Sequence, residues 1–247
     1  MTDAPGPAGP RDQVADLLGR LGDERLGGAE RARLIVDLAR LLVASARTAG
    51  GRATFGGSAL VDAVAAYAPH VPVRDLLTLR QHHGGLSGAD LAESLVRSAS
   101  RVTAGIGAAG GAVASAEFAA PPALLLAPVQ LAAETLAVVA VEIKLVAELH
   151  VVFGRAPLGT RAQVAGAYLL SWTTRRAVDP HADAVSVVLL LGSAARRQLR
   201  QRVLRRLGRN VSSLAPFLAG ALAAAELNRR STRELGERLI ADLRRSR

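Results

Sequence analysis

Between Val102 and Val141 the chain runs for forty residues with only two charged side chains, Glu117 and Glu134. Exposing such a stretch to water would forfeit the transfer free energy of its apolar groups, so it must be buried in protein, in lipid or in both. Its apolar residues are chiefly alanine, leucine and valine. Over the whole chain, aromatic residues make up 3% against 50% hydrophobic residues. Strand-rich domains need more aromatic and β-branched residues on their pleated faces, broken up by frequent turn signals. The pattern therefore predicts an all-α, multi-helix bundle built around a central apolar, Ala/Gly-rich helical hairpin.

Helical spacing and turn signals divide the chain further. Residues 1–10, MTDAPGPAGP, read as a disordered tail, and residues 11–247 as one helical domain with an N-terminal part at about 11–86. In that part, Val14, Leu17, Leu18 and Leu21 share one side of a first helix. Leu34, Ile35, Leu38, Leu41 and Leu42 repeat the pattern in a second. Short helices are expected at Ser58–Tyr67 and Val73–Gln81, with a turn at His82–Gly85, and a long helix from about Ala89 to the pair Pro121–Pro122. The hairpin's second arm is expected from Pro122 to Phe153, kinked at Pro128 and stopped by Gly154. Thr160 is placed to cap the next helix and Asp179-Pro180 to open another. After Pro216 comes an apolar helix, then a separate amphipathic one from Ser231, where Glu234 completes a capping box.

A membrane-spanning helix needs roughly 20 consecutive, mainly apolar residues. Here Glu117, the proline pair, Glu134 and Glu142-Ile143-Lys144 interrupt both arms. That favours a bundle core, or shallow attachment to a surface, over an inserted hairpin. Gly105, Gly107 and Gly110 spell G-x-G-x-x-G. A dinucleotide site would need a strand before this string and an acid at the ribose distance after it, and neither is present. Close helix packing through Gly107 and Gly111 is the better reading. On the second arm, Glu134, Lys144 and Glu148 fall within an arc of about 80° at 100° per residue, flanked by Glu142. They are candidates for a buried or interfacial ionic cluster, or for a polar stripe that faces water or a neighbouring arginine.

The formal net charge of +10 points to an anionic partner. Lys144 is the only lysine, so the basic charge is almost wholly arginine. From Ala184 to Ala225 there are seven arginines and no acid. Here Leu199, Val203 and Leu207 interleave with Arg202, Arg205, Arg206 and Arg209, which reads as a basic amphipathic helix. Those four arginines are the candidates for binding anions or lipid headgroups. No helix-turn-helix pattern or set of stacking aromatics accompanies them, which places nucleic acid behind a membrane surface or an acidic partner protein.

No catalytic constellation is legible. The histidines His70, His82, His83, His150 and His181 are scattered, and there is no H-E-x-x-H, G-K-[ST] or G-x-S-x-G. With zero cysteines, thiolate metal sites and disulfides are excluded, which fits a reducing compartment. The expectation is a protein without cofactor or metal. The first residues lack the basic and apolar regions of a secretory signal, so the expected location is the cytoplasm, peripheral to the inner face of the cell membrane.

Two segments resemble the EcsC family of bacterial membrane-associated helical proteins. LVAELHVVFGRAPLGTR carries a helix followed by Phe153-Gly154, where the family more usually has Tyr-Gly. RNVSSLAPFLAGALAAAELNRRSTRELGE carries the closing pattern at Pro216, Gly220, Asn228 and Thr232. The likeness covers roughly residues 88–245. It implies an α-helical accessory protein at a membrane, in a family linked by its founding member to an ABC transporter and secretion, with no catalytic residues to carry over.

Together these observations lead to the expectation of a non-enzymatic helical accessory or interaction protein on the cytoplasmic face, with self-association through small-residue helix faces. The competing readings are a soluble, basic, nucleic-acid-associated helical protein and a helical carrier of lipid or another hydrophobic ligand.

Overall fold

A computed structural model describes residues 10–48, 57–118, 127–175, 197, 200–201 and 218–245. All regular structure among them is helical: α1 (Pro10–Leu21), α2 (Gly28–Thr48), α3 (Gly57–Tyr67), α4 (Leu76–His82), α5 (Gly88–Phe118), α6 (Ala127–Val152), α7 (Arg161–Thr174) and α8 (Leu218–Arg245). A single 3-10 turn, Ala68–His70, follows α3. Helix packing makes this an all-α, multi-helix bundle.

The described part of the apolar segment's second arm is core. From Val129 to His150 every residue of α6 is buried except Lys144, which is half-buried. A helix that is apolar all round must be enclosed on all sides, and α6 touches α1, α2, α3, α5, α7 and α8. Among the described residues no helix is long and apolar enough to cross a membrane. Buried side chains from Leu18 in α1 to Leu243 in α8 form one cluster, so the N-terminal helices share their core with the rest.

Local signals explain most of the boundaries. The Asp75 carboxylate accepts from the Thr78 amide at 2.8 Å and caps α4. Gly84 and Gly85 take positive φ of 65° and 80° in the turn that follows. Gly154, at φ 66°, stops α6, and the Arg155 amide returns to the His150 carbonyl at 2.7 Å. Thr160 and Gln163 form a reciprocal capping box at the start of α7.

Two expectations require correction. Pro128 does not kink α6; it lies in the first turn, where its missing N–H has no helical partner to lose. Ser231 does not start a helix, because α8 runs unbroken from Leu218 to Arg245. The Ser-x-x-Glu spacing mimics a cap, but neither proline nor glycine separates it from the preceding alanine-rich turns. The expected helix after Asp179-Pro180, Pro216, and the candidate residues Arg202, Arg205, Arg206 and Arg209 lie outside the described residues, while Arg197 and Arg200 are exposed.

Candidate functional site

The glycines of α5 are notches into which neighbouring helices place specific groups. A Cβ on Gly107 would lie 2.7 Å from Asn228 Nδ2 and 2.8 Å from the Ala224 backbone of α8. One on Gly111 would collide with the Cα and Cβ of Ala221, and one on Gly110 would lie 2.5 Å from Glu134 Oε2 of α6. On the opposite side of α5, Gly105 receives the Arg31 guanidinium of α2, with Nη1 at 2.5 Å from such a Cβ. Glycine in a helix costs about 1 kcal/mol relative to alanine, and here it is offset by contacts that no other residue permits. The G-x-G-x-x-G string is therefore a packing device.

Around these notches runs a buried polar seam. Gln130 Nε2 donates to the Gly110 carbonyl at 2.8 Å, and Asn228 Nδ2 donates to Glu134 Oε1 at 3.4 Å. Further along α6, Glu142 accepts from Trp172 Nε1 at 2.8 Å and from Thr232 Oγ1 at 3.0 Å. All of these polar residues are buried, and Glu142 and Thr232 are fully so. Such groups are tolerated inside a protein because they hydrogen-bond to one another. Asn228 and Thr232, two residues that carried the EcsC resemblance, are thus the α8 partners of the two buried carboxylates.

The predicted cluster of Glu134, Lys144 and Glu148 divides in two. Glu134 and Glu148 are 14 positions apart on α6, about 21 Å along its axis at 1.5 Å per residue. Glu134 belongs to the seam. Glu148 instead meets Arg74, which follows the 3-10 turn, in a two-pronged pair of 2.7 Å from Nε and 2.9 Å from Nη2, and Lys144 Nζ adds a third contact at 2.8 Å. Burial pushes the Glu148 carboxyl up, but the Arg74 hydrogen bonds and the charges of Lys144 and Arg74 outweigh it and hold the group below its usual value. The cavity beside this clamp, lined by Glu24, Arg74, Ser98, Lys144 and Glu148 among others, has a volume of 30 Å³. That is room for about one water, not for a substrate.

The histidines do not converge. His82 Nδ1 lies 3.3 Å from Arg74 Nη1, whereas His83 Nδ1 lies 2.9 Å from Ser94 Oγ of α5, so the adjacent rings face different partners. His150 Nδ1 donates to the Val146 carbonyl at 2.7 Å and its ring lies 5.6 Å from that of Tyr168. Burial, and to a lesser degree Arg155, lower its pKa against the opposing effect of that hydrogen bond, which keeps it a neutral core residue. Among the described residues no group of three or more His, Asp or Glu could hold a metal ion.

The Arg74 clamp lies at the C-terminal end of α6 and fixes a surface that sequence reasoning missed. Val71, Val73 and, from the loop 153–160, Gly159 line the same groove there. Leu77 and Leu158 are 66% and 73% exposed, and Val73 and Leu76 are exposed beside them in sequence. Arg80 and Arg161 are exposed and Arg155 half-buried, and none of the three makes an ion pair among the described residues. The one available signal was the shortness of α4. Seven residues with Leu76, Leu77 and Leu79 cannot bury all three leucines, and only Leu79 enters the core.

No protein-family model, curated protein or solved structure matches the chain.

Proposed function

We propose that this chain is a non-enzymatic helical accessory protein that docks on an anionic membrane surface through the end of the bundle formed by residues 71–77 and 153–161. The observation that carries this reading is the exposure of Leu77 and Leu158 at that end. Single exposed leucines are ordinary on a protein surface. Four apolar side chains on two segments at one end, beside arginines with no carboxylate partner among the described residues, fit lipid better than water. The clamp from Arg74 to Glu148 holds this arrangement at its base. The basic segment with Arg202, Arg205, Arg206 and Arg209 supplies a second, electrostatic contact in the same reading. The EcsC resemblance suggests a place beside a transporter or secretion system on the cytoplasmic face.

Cosedimentation with vesicles tests this. The wild-type chain should bind vesicles containing phosphatidylglycerol and bind phosphatidylcholine vesicles weakly. Replacing Leu76, Leu77 and Leu158 together by Ser should weaken binding by at least about a hundredfold, since burying each leucine contributes about 1.5–3 kcal/mol. Replacing Arg202, Arg205, Arg206 and Arg209 by Gln should lower the salt-sensitive part of the binding with helix content unchanged. Undiminished binding by the serine variant would reject the loop end as the docking surface.

A further inference from the structure

The docking end also contains a groove. The 3-10 turn with Val71 and Val73 forms one wall, and α7 forms the other through Arg161, Val164, Ala165 and Tyr168. Its volume is 460 Å³, within the range of about 300–1,000 Å³ typical of small-molecule sites. Most of the lining side chains are apolar, although polar atoms supply nearly half of the exposed lining surface. The only residues in the lining with basic side chains are Arg161 and His70, and there is no acid. The His70 ring engages the Ala66 carbonyl through Nδ1 at 3.1 Å, whereas Arg161 is exposed with no ion pair among the described residues. Val73 of the lining is exposed, as is Leu158, the sequence neighbour of the lining residue Gly159.

A groove with apolar side chains on both walls and one exposed guanidinium in its lining matches a molecule with a hydrocarbon tail and an anionic head. We infer that the groove holds one acyl chain of an anionic phospholipid, seated among Val71, Val164 and Tyr168, with the phosphate against Arg161. This rests on the surface-docking reading and makes it specific: the chain binds a single lipid molecule in addition to touching the bilayer. A guanidinium donates to two phosphate oxygens at once, which favours a phosphate diester over a bare fatty-acid chain. A zwitterionic headgroup places a cation near the same arginine and should bind less well.

The test uses dihexanoyl phosphatidylglycerol and dihexanoyl phosphatidylcholine as monomers below their micelle concentrations, titrated into the full chain and followed by calorimetry and by NMR of the Tyr168 ring. The expected result is saturable binding of one phosphatidylglycerol per chain, at least about tenfold tighter than phosphatidylcholine. Arg161→Gln should remove that preference, losing about tenfold for phosphatidylglycerol alone. Val164→Trp should fill the trough and abolish binding of both lipids, with circular dichroism confirming the fold. Arg161→Gln changes an exposed position and keeps the test decisive should Val164→Trp fail to fold. Equal affinity for the two lipids, or binding unchanged in Arg161→Gln, would overturn the inference. Absence of monomer binding while vesicles still sediment would overturn the groove and leave the docking surface standing. Monomer binding without vesicle binding would do the reverse.

Discussion

At Gly107 and Gly110 the bundle buries an asparagine and a glutamate between three helices, while at Leu77 and Leu158 it leaves two leucines in water. The two regions invert the usual allocation of polar and apolar groups, and each does so for a different physical reason. In the centre, glycine notches let α6 and α8 approach α5 closely enough for Asn228 to reach Glu134, so polar burial is offset by hydrogen bonds. At the loop end the leucines stay exposed, and the buried polar contact is the ion pair of Arg74 with Glu148. The centre joins three helices, and the end leaves apolar side chains exposed.

The largest expected effect breaks the centre. Gly111→Leu would drive a side chain into the α8 backbone at Ala221. A destabilisation of more than about 3 kcal/mol in urea unfolding is expected, because neither helix backbone can yield as a side-chain tip can. A neutral result would mean that α5 and α8 do not approach closely, and the contrast with the loop end would collapse.

Much of this centre was legible in the sequence. A helix that accepts Gly105, Gly107, Gly110 and Gly111 within two turns loses stability at each, so close approach had to be the reason. The partners were not legible, because Ala221 and Asn228 lie more than a hundred positions away and no local pattern encodes that distance. The helical projection placed Glu134 and Glu148 on one arc but discarded the rise along the axis, which merged two separate sites. Asn228 and Thr232 drew attention through a family resemblance, and the capping signal at Ser231 then cut the very helix that carries both. Arg74 had no signal at all. It is an ordinary arginine in a short loop, and only tertiary structure brings it to Glu148.

A middle-sized effect sharpens the picture of the seam. Glu142→Ala strips Trp172 Nε1 and Thr232 Oγ1 of their acceptor in a fully buried site, and should cost about 2–3 kcal/mol. Glu142→Gln should cost less, since an amide oxygen still accepts from Trp172 and the amide nitrogen can donate to the threonine hydroxyl. Equal losses for both variants, measured by thermal unfolding at one pH, would show that the carboxylate charge matters beyond these two bonds.

The smallest effect concerns the clamp, and pH gives it a signature. Glu148 is held below its ordinary value of 4.5 in the folded chain. A carboxylate with a depressed folded pKa stabilises the fold fully above its unfolded pKa and loses that contribution as pH falls through the folded one. Glu148→Gln removes the charge but not the shape, and Arg74 and Lys144, whose side chains are 21% and 23% exposed, can turn partly to water. The variant should therefore be weaker by only about 1–2 kcal/mol at neutral pH. The gap between wild type and variant should stay level from pH 8 to about 5, then narrow below about 4.5 as the wild-type carboxyl takes up its proton. A gap that widened on acidification would mean that burial, not Arg74, governs this carboxyl. The loop end would then be held by packing, without a net contribution from the charged pair.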